Sequence, residues 1–214
     1  MCRLKLEDFQ VNFKGFQLNV PHLYLDAGQI VGIIGRNASG KTTLLRAIAG
    51  EVKFSGKAFI DGVAVSSLRP EERASLIGYL PQTLNFSFPF TVGYALQLIT
   101  SKFGTEELLQ QLIKELLPSE MLEKRLTELS FGYLRLLGLA MIYLKNPKIA
   151  LIDEPLLGLD KWNRKRALRL INDMKLKGVG LLVVTHEVEI LKPDKIYLMQ
   201  QYYNRRLNIS VLKG

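Results

Sequence analysis

Cysteine is almost missing from this chain of 214 residues: Cys2 is the only one. One thiol cannot build an internal disulfide framework, and the composition suits a reducing compartment. Long apolar runs are missing too. No stretch approaches the ~20 apolar residues that cross a bilayer, and the longest candidate, Leu136 to Leu144, reads as a buried helix. The expectation is a chain that does not span a membrane. The opening residues, Met1 to Glu7, hold no apolar stretch of the secretory type. There is no internal repeat, low-complexity tract or long heptad pattern. Aromatic–basic interleaving of the kind that grips single strands is also lacking, so nucleic acid is not expected as a partner. What the chain does have is apolar residues, 48% of the total, and a formal net charge of +9. The first is enough for one substantial core, or a core with a small satellite lobe. Part of the charge clusters at Lys161, Arg164, Lys165, Arg166 and Arg169, with Lys175 and Lys177 beyond. That cluster is either a solvated helix face or a surface drawn to anionic lipid or nucleic acid.

One stretch outweighs all others: Gly35-Arg36-Asn37-Ala38-Ser39-Gly40-Lys41-Thr42. It fits the phosphate-binding loop pattern of Gly, four residues, Gly, Lys and Ser or Thr. A chain of this length shows that pattern by chance on the order of once in a hundred. Ile30 to Ile34 before it reads as a buried strand. Thr43 to Ala49 after it reads as a helix with Leu44, Leu45 and Ile48 on one face, stopped at Gly50. Successive N–H groups of such a loop turn inward and cradle phosphate oxygens, and the helix N-terminus adds its positive end. Gly35, Asn37, Ala38, Ser39, Gly40, Lys41, Thr42 and Thr43 are the candidate nucleotide contacts. Lys41 reaches the β- and γ-phosphates and the Thr42 hydroxyl ligates Mg²⁺.

Ile149 to Ile152 is an unbroken apolar run ending in Asp153, Glu154 and Pro155. The run suits a strand covered on both faces. A carboxylate at the end of a buried strand beside the loop is placed as a Mg²⁺ ligand, which selects Asp153. Glu154, one residue on, points elsewhere and is the candidate base for an attacking water.

Further patterns order the rest. Leu4 to Val20 reads as two strands with Gly15 at the turn, and Lys57 to Gly62 suggests another antiparallel hairpin. Glu71 to Ser75 reads as a short helix and Ile77 to Leu80 as a strand. Thr91 to Leu117 is helical in pattern, interrupted near Gly104 and ended by Pro118. Leu134 to Leu144 is a helix. Ile149 to Ile152, Leu181 to Val184 and Lys195 to Met199 supply core strands, with helix Lys161 to Met174 between the first two. Alternating strands and helices predict a parallel sheet with helices on its faces. The chain is expected to stop soon after that core, with no appended domain.

On these motifs and their order, the chain resembles the nucleotide-binding subunit of ATP-binding-cassette (ABC) transporters along nearly its whole length. Gln82, in Ile77-Gly78-Tyr79-Leu80-Pro81-Gln82, matches the family's Q-loop. Leu129-Ser130-Phe131-Gly132-Tyr133 stands where the signature motif belongs, Leu157-Gly158-Leu159-Asp160 matches the D-loop, and His186 matches the switch histidine. Phe13 sits where the family places an aromatic that stacks on adenine; its alternative is ordinary core. Four residues depart from the family pattern. Phe131 and Tyr133 replace a glycine and a glutamine of the signature, Ala38 replaces a loop glycine, and Leu157 stands where the D-loop often has serine.

The resemblance implies an α/β fold: a P-loop NTPase core with a mostly parallel sheet flanked by helices, an N-terminal antiparallel β lobe and a helical lobe. It implies one domain over 1–214, with 1–81 and 146–214 as the nucleotide-binding core and 82–145 as the helical lobe. It implies an ATPase working with ATP and Mg²⁺, driving a separate membrane permease from the inner face of the cell membrane. A metal-chelate-type importer is the nearest variety. A homodimer would close head to tail on two ATP molecules. One copy would supply Lys41, Thr42, Gln82, Asp153, Glu154 and His186, and the other Ser130 and Gly132; Asp160 of the D-loop is a further nucleotide-contact candidate. In that scheme Thr42, Gln82 and Asp153 hold the metal. Phe86, Phe88 and Phe90 either insert into a coupling groove or belong to the core. The alternative function is a soluble ABC-type ATPase of iron–sulfur assembly, the ribosome or DNA repair.

Overall fold

The computed structural model describes residues 1–13, 16–84, 89–103, 106–115, 119–202 and 206–213. The expected turn at Gly15, the break at Gly104, the stop at Pro118, and Phe86 and Phe88 lie outside them. Ten strands join one sheet in the order β5-β4-β1-β2-β10-β9-β3-β8-β7-β6. They are β1 (Cys2–Phe13), β2 (Phe16–Asp26), β3 (Ile30–Gly35), β4 (Ser55–Ile60), β5 (Val63–Ala64), β6 (Ile77–Leu80), β7 (Ile149–Asp153), β8 (Gly180–Val184), β9 (Lys195–Tyr202) and β10 (Arg206–Lys213). Strands β9, β3, β8, β7 and β6 run parallel. Strands β5, β4, β1 and β2 pair antiparallel. The two sets are continuous, because β10 lies parallel to β2 on one side and antiparallel to β9 on the other.

Local sequence explains these elements. In β7 and β8 every residue is buried, which is why each reads as a solid apolar run. Successive side chains still face opposite ways. Ile149 and Leu151 join a core with α1 (Lys41–Ala49) and the antiparallel strands, while Ala150 and Ile152 join the core on the other face. That second core takes its helices from α3 (Val92–Phe103), α4 (Glu106–Glu115), α5 (Phe131–Lys145) and α6 (Lys161–Leu176). Two short helices complete the set, α2 (Pro70–Leu76) and α7 (Val188–Leu191).

In β1 the buried positions switch parity, from Leu4 and Leu6 to Phe9 and Val11. The switch falls at Asp8, whose φ is +47°, and the pairing with β4 slips there between Glu7 and Gln10. One extra residue at a bulge re-aims the strand so that both halves face the core. The last strand, β10, was not expected from sequence. Its Leu207, Ile209 and Val211 alternate with polar residues in sequence, and of these Ile209 is buried while Val211 is exposed. The final strand therefore closes the sheet rather than trailing from it.

Candidate functional site

The phosphate loop forms where β3 ends and α1 begins. Gly40, the residue before the helix, is left-handed at φ 84° and ψ 8°, and no side chain caps the first turn. That turn also holds no acidic residue. Its N–H groups and positive dipole end are thus left for an anion. Ser39 is buried, and its Oγ has no hydrogen-bond partner. A buried orphan hydroxyl is costly unless a ligand completes it. Ala38 sits at φ +61°, so the position usually held by glycine does carry a left-handed backbone. Lys41 Nζ donates to the carbonyls of Gly35 and Arg36 at 2.8 and 2.9 Å. Burial lowers the Lys41 ammonium from its usual range, and the nearby Glu154 and Asp153 carboxylates partly oppose this.

Across the cavity stands the acidic strand end. Asp153 is buried, and its Oδ2 accepts from Thr42 Oγ1 at 2.5 Å. Burial raises the Asp153 carboxyl, while the Thr42 hydrogen bond and the charges of Arg135 and Lys41 pull it back. Glu154 turns sharply away at φ +52°, with its N–H on the Val184 carbonyl at 2.9 Å. A glutamate in the left-handed region stores roughly 1–2 kcal/mol, a strain typical of functional sites. The turn brings Glu154 Oε1 within 3.3 Å of His186 Nε2. Burial also raises the Glu154 carboxyl, opposed chiefly by His186. Glu187 beside that histidine is anchored: it pairs with Arg164, and its N–H donates to Thr185 Oγ1 at 2.9 Å.

These groups line one cavity of about 500 Å³. Around it stand Asn37 to Thr43 from the loop, Gln82, Asp153, Glu154 and His186. Of the remaining candidates, Gly35 bounds the loop from below through Lys41. Ser130, Gly132 and Asp160 lie elsewhere, at the starts of α5 and α6. Ser130 caps α5, accepting from the Tyr133 N–H at 3.4 Å. Asp160 caps α6, accepting from the N–H groups of Trp162 and Asn163 at 2.9 Å each, and these bonds hold its carboxyl below the usual range. The Phe13 side chain lies outside the described residues, and the aromatic that lines the cavity is Phe16. Phe90 is exposed and its ring meets that of Tyr94 at a tilt of 55°, with ring centres 4.9 Å apart.

Sequence reasoning missed Phe16 and Val184 in the lining, and it missed Arg135. That arginine is buried on α5 and donates to the main-chain carbonyls of Asp153, at 2.7 Å, and of Gln82. A lone charge inside the apolar run around Leu134 to Leu144 was the available signal. Among the described residues no group of three or more His, Cys, Asp and Glu side chains is set to hold a metal ion. Thr42 and Asp153 converge with Gln82 nearby, a sparse oxygen set of the kind that holds Mg²⁺ jointly with phosphate oxygens. The uncapped helix, the orphan Ser39 hydroxyl and this oxygen set fit a magnesium–nucleotide.

Residues 18–157 match the protein family described as ABC transporter. A hemin import ATP-binding protein of Rhizobium meliloti is 31% identical over 92% of this chain and 82% of its own length. A methionine import ATP-binding protein of Carboxydothermus hydrogenoformans is 33% identical over 83% of this chain and 56% of its own. The chain spans a smaller share of other relatives, 33% of an ABC transporter ATP-binding protein of Streptococcus mutans and 38% of one from Clostridium tetani. Among solved structures, an ATP binding subunit of an ABC transporter superposes with a TM-score of 0.84, covering 98% of this chain and 90% of that one at 25% identity. With the family match extending over more than half of its residues, this chain belongs to the ABC transporter family.

Proposed function

We propose that this chain binds Mg²⁺–ATP, hydrolyses it, and delivers the work to a separate membrane permease. The observation that carries the reading is the convergence of Thr42–Asp153 and Glu154–His186 on one cavity against an uncapped helix N-terminus. The loop N–H groups and Lys41 hold the β- and γ-phosphates. Thr42, Asp153 and Gln82 are the residues that would hold Mg²⁺, which supplies charge neutralisation on the phosphate oxygens. Glu154 accepts a proton from water as its oxygen attacks the γ-phosphorus, and the bond to the β-phosphate oxygen breaks to leave ADP and phosphate. His186 steadies Glu154 and the γ-phosphate oxygens as charge moves outward. Phe16, which lines the cavity, stacks on the base in this reading.

Ser130, Gly132 and Asp160 stand apart from the cavity of their own chain. A head-to-tail dimer of two copies would bring them to the other copy's γ-phosphate, as a C₂ pair. Residues 82–145 then act as the lobe that nucleotide moves, with Gln82 at its start. Among the described residues no helix is long and apolar enough to cross a membrane. A permease on another chain would therefore form the path, with this subunit peripheral on the inner face. The exposed Phe90, Tyr94 and Leu98, spaced four apart at and along α3, suit its docking. Import of a metal chelate is the substrate class we favour, on the likeness to a hemin importer subunit.

Glu154→Gln tests the proposal. It should bind ATP, hydrolyse it roughly 10²–10⁴-fold more slowly, and dimerise with ATP but not ADP. Recovered from its source cells, it should bring down a polytopic membrane protein. Turnover unchanged by the substitution would remove Glu154 from the base role. Recovery with ribosomes, DNA or assembly proteins would remove the permease.

A further inference from the structure

The peptide between Asp153 and Glu154 joins the metal carboxylate to the base, and it is held at both ends. Its N–H, from Glu154, donates to the Val184 carbonyl at 2.9 Å. Its carbonyl, from Asp153, accepts from Arg135 Nη1 at 2.7 Å. Glu154 takes its left-handed turn directly after this peptide. A strained backbone persists only where its surroundings over-determine it. Releasing either end would let Glu154 relax toward an ordinary conformation and swing away from His186.

Arg135 is unusual in its own right. Its residue is 1% exposed, yet both hydrogen bonds go to main-chain carbonyls rather than to carboxylates. Its Nε is buried without a partner. An apolar side chain of this volume would suit the core between α5 and β7 better. The second carbonyl it holds belongs to Gln82, so one guanidinium ties the start of the 82–145 segment to the Asp153–Glu154 joint. Its planar fork serves the two carbonyls from separate nitrogens held in fixed geometry, whereas a lysine would have to serve both from one.

The open side of the guanidinium is closed by Phe131, whose ring centre lies 5.1 Å from Arg135 Cζ. That ring also rests against Gly158, where an added Cβ would come within 2.7 Å of Phe131 Cδ1. The phenylalanine that departs from the family pattern thus touches both the Gly158 turn and the buried arginine. Gly132, next in sequence, approaches the same turn: a Cβ there would lie 2.7 Å from the Gly158 carbonyl oxygen.

We propose that Arg135 is a positioning residue that clamps the Asp153–Glu154 peptide and Gln82, and that Phe131 seats it. The proposal rests on the assignment of Asp153 and Gln82 to the metal and Glu154 to the base. It makes the Ser130–Gly132 segment mechanically continuous with the hydrolytic site of its own chain. Whatever presses on Phe131 in a dimer therefore reaches Glu154 through two contacts.

The test uses the full chain and three variants: Arg135→Lys, Arg135→Met and Phe131→Leu. In Arg135→Met, kcat should fall about 10–100-fold, as for groups that orient a metal site, with the KM for ATP within about threefold of wild type. Arg135→Lys, which keeps the charge but loses the fixed fork, should fall between. Phe131→Leu, which keeps the volume apolar, should shift kcat the same way by a few fold. Mn²⁺ binding in the presence of ADP, read by electron paramagnetic resonance, should weaken in the order Phe131→Leu, Arg135→Lys, Arg135→Met. That readout needs no turnover. A wild-type chain that binds Mn²⁺–ADP but does not hydrolyse ATP would count against the assigned base and leave the clamp to be judged on the metal signal. Arg135 variants with wild-type kcat and wild-type Mn²⁺ affinity would overturn the clamp. So would variants whose kcat and melting temperature fall while KM rises, since that is the pattern of a core residue only. If Arg135→Met does not fold, the two remaining variants decide by the same criteria.

Discussion

Replacing Ala38 with glycine should make this protein more stable, although glycine usually does the opposite. Ala38 has φ +61°, where its Cβ crowds the following carbonyl. Left-handed backbone costs an alanine about 1–2 kcal/mol relative to glycine. Against this, glycine gives the unfolded chain more freedom, worth about 0.4–1 kcal/mol in the other direction. The difference leaves a net gain of roughly 0.5–1 kcal/mol. For a domain of this size that is about 1–4 °C in melting temperature. The matched control is Ala49→Gly, at the end of α1. There the backbone is right-handed, so the same chemical change should lose roughly 0.5–1 kcal/mol. Both would be measured by thermal unfolding without nucleotide, side by side with wild type. The opposite signs are the prediction. A fall in melting temperature for Ala38→Gly comparable to that of Ala49→Gly would mean the loop does not hold residue 38 left-handed.

Phe16→Ala should weaken nucleotide binding by roughly 5- to 150-fold, the range of ~1–3 kcal/mol for a stacked base; fluorescent-nucleotide titration beside Phe13→Ala would show which ring the base meets. The acid limb of kcat/KM should lie above the range of a solvated glutamate, because burial raises Glu154 and the base works only when ionised; a limb at or below the usual glutamate range would contradict its burial. Lys145, whose Nζ donates to the Ile77 carbonyl at 2.6 Å, is lowered from 10.5 to about 8 by burial and by Lys102. Between those values the unfolded chain binds the extra proton and the folded chain does not, so stability rises with pH across that window. Lys145→Met lacks this slope, and urea denaturation at several pH values should show wild type gaining on the variant from pH 8 to 10.5, whereas parallel profiles would refute the lowering.

The parts of the site that were legible in sequence are those where chemistry and backbone demand one residue type at one spacing. Gly40, Lys41 and Thr42 follow from a loop that must turn left-handed, start a helix and present an ammonium and a hydroxyl. Asp153 and Glu154 follow from a strand with no polar residue until its end. Arg135 was harder, because periodicity says that a helix face is buried but not where a long side chain carries its charge. Phe13 and Phe16 are paired at neighbouring ends of β1 and β2, and the choice between them rests on how those strands pair, which no local pattern encodes. Asp8 is similar: its bulge is written in the change of parity from Leu6 to Phe9, but as a long-range fact about β4. The alternation of Leu207, Ile209 and Val211 was readable, yet its place between β2 and β9 was not.

The position of β3 has a consequence for how the protein is made. Its neighbours in the sheet are β8 and β9, which lie some 150 residues later in the chain. The antiparallel strands β1, β2 and β4 can pair early, from nearby sequence. The strand that leads into the phosphate loop stays unflanked until residues 180 to 202 have been synthesised and folded back. Contacts so distant in sequence are slow to close. A ribosome carrying two thirds of this chain therefore holds a finished glycine loop in sequence and none in structure. Nucleotide is therefore expected to bind the nascent chain only once β8 and β9 have paired with β3.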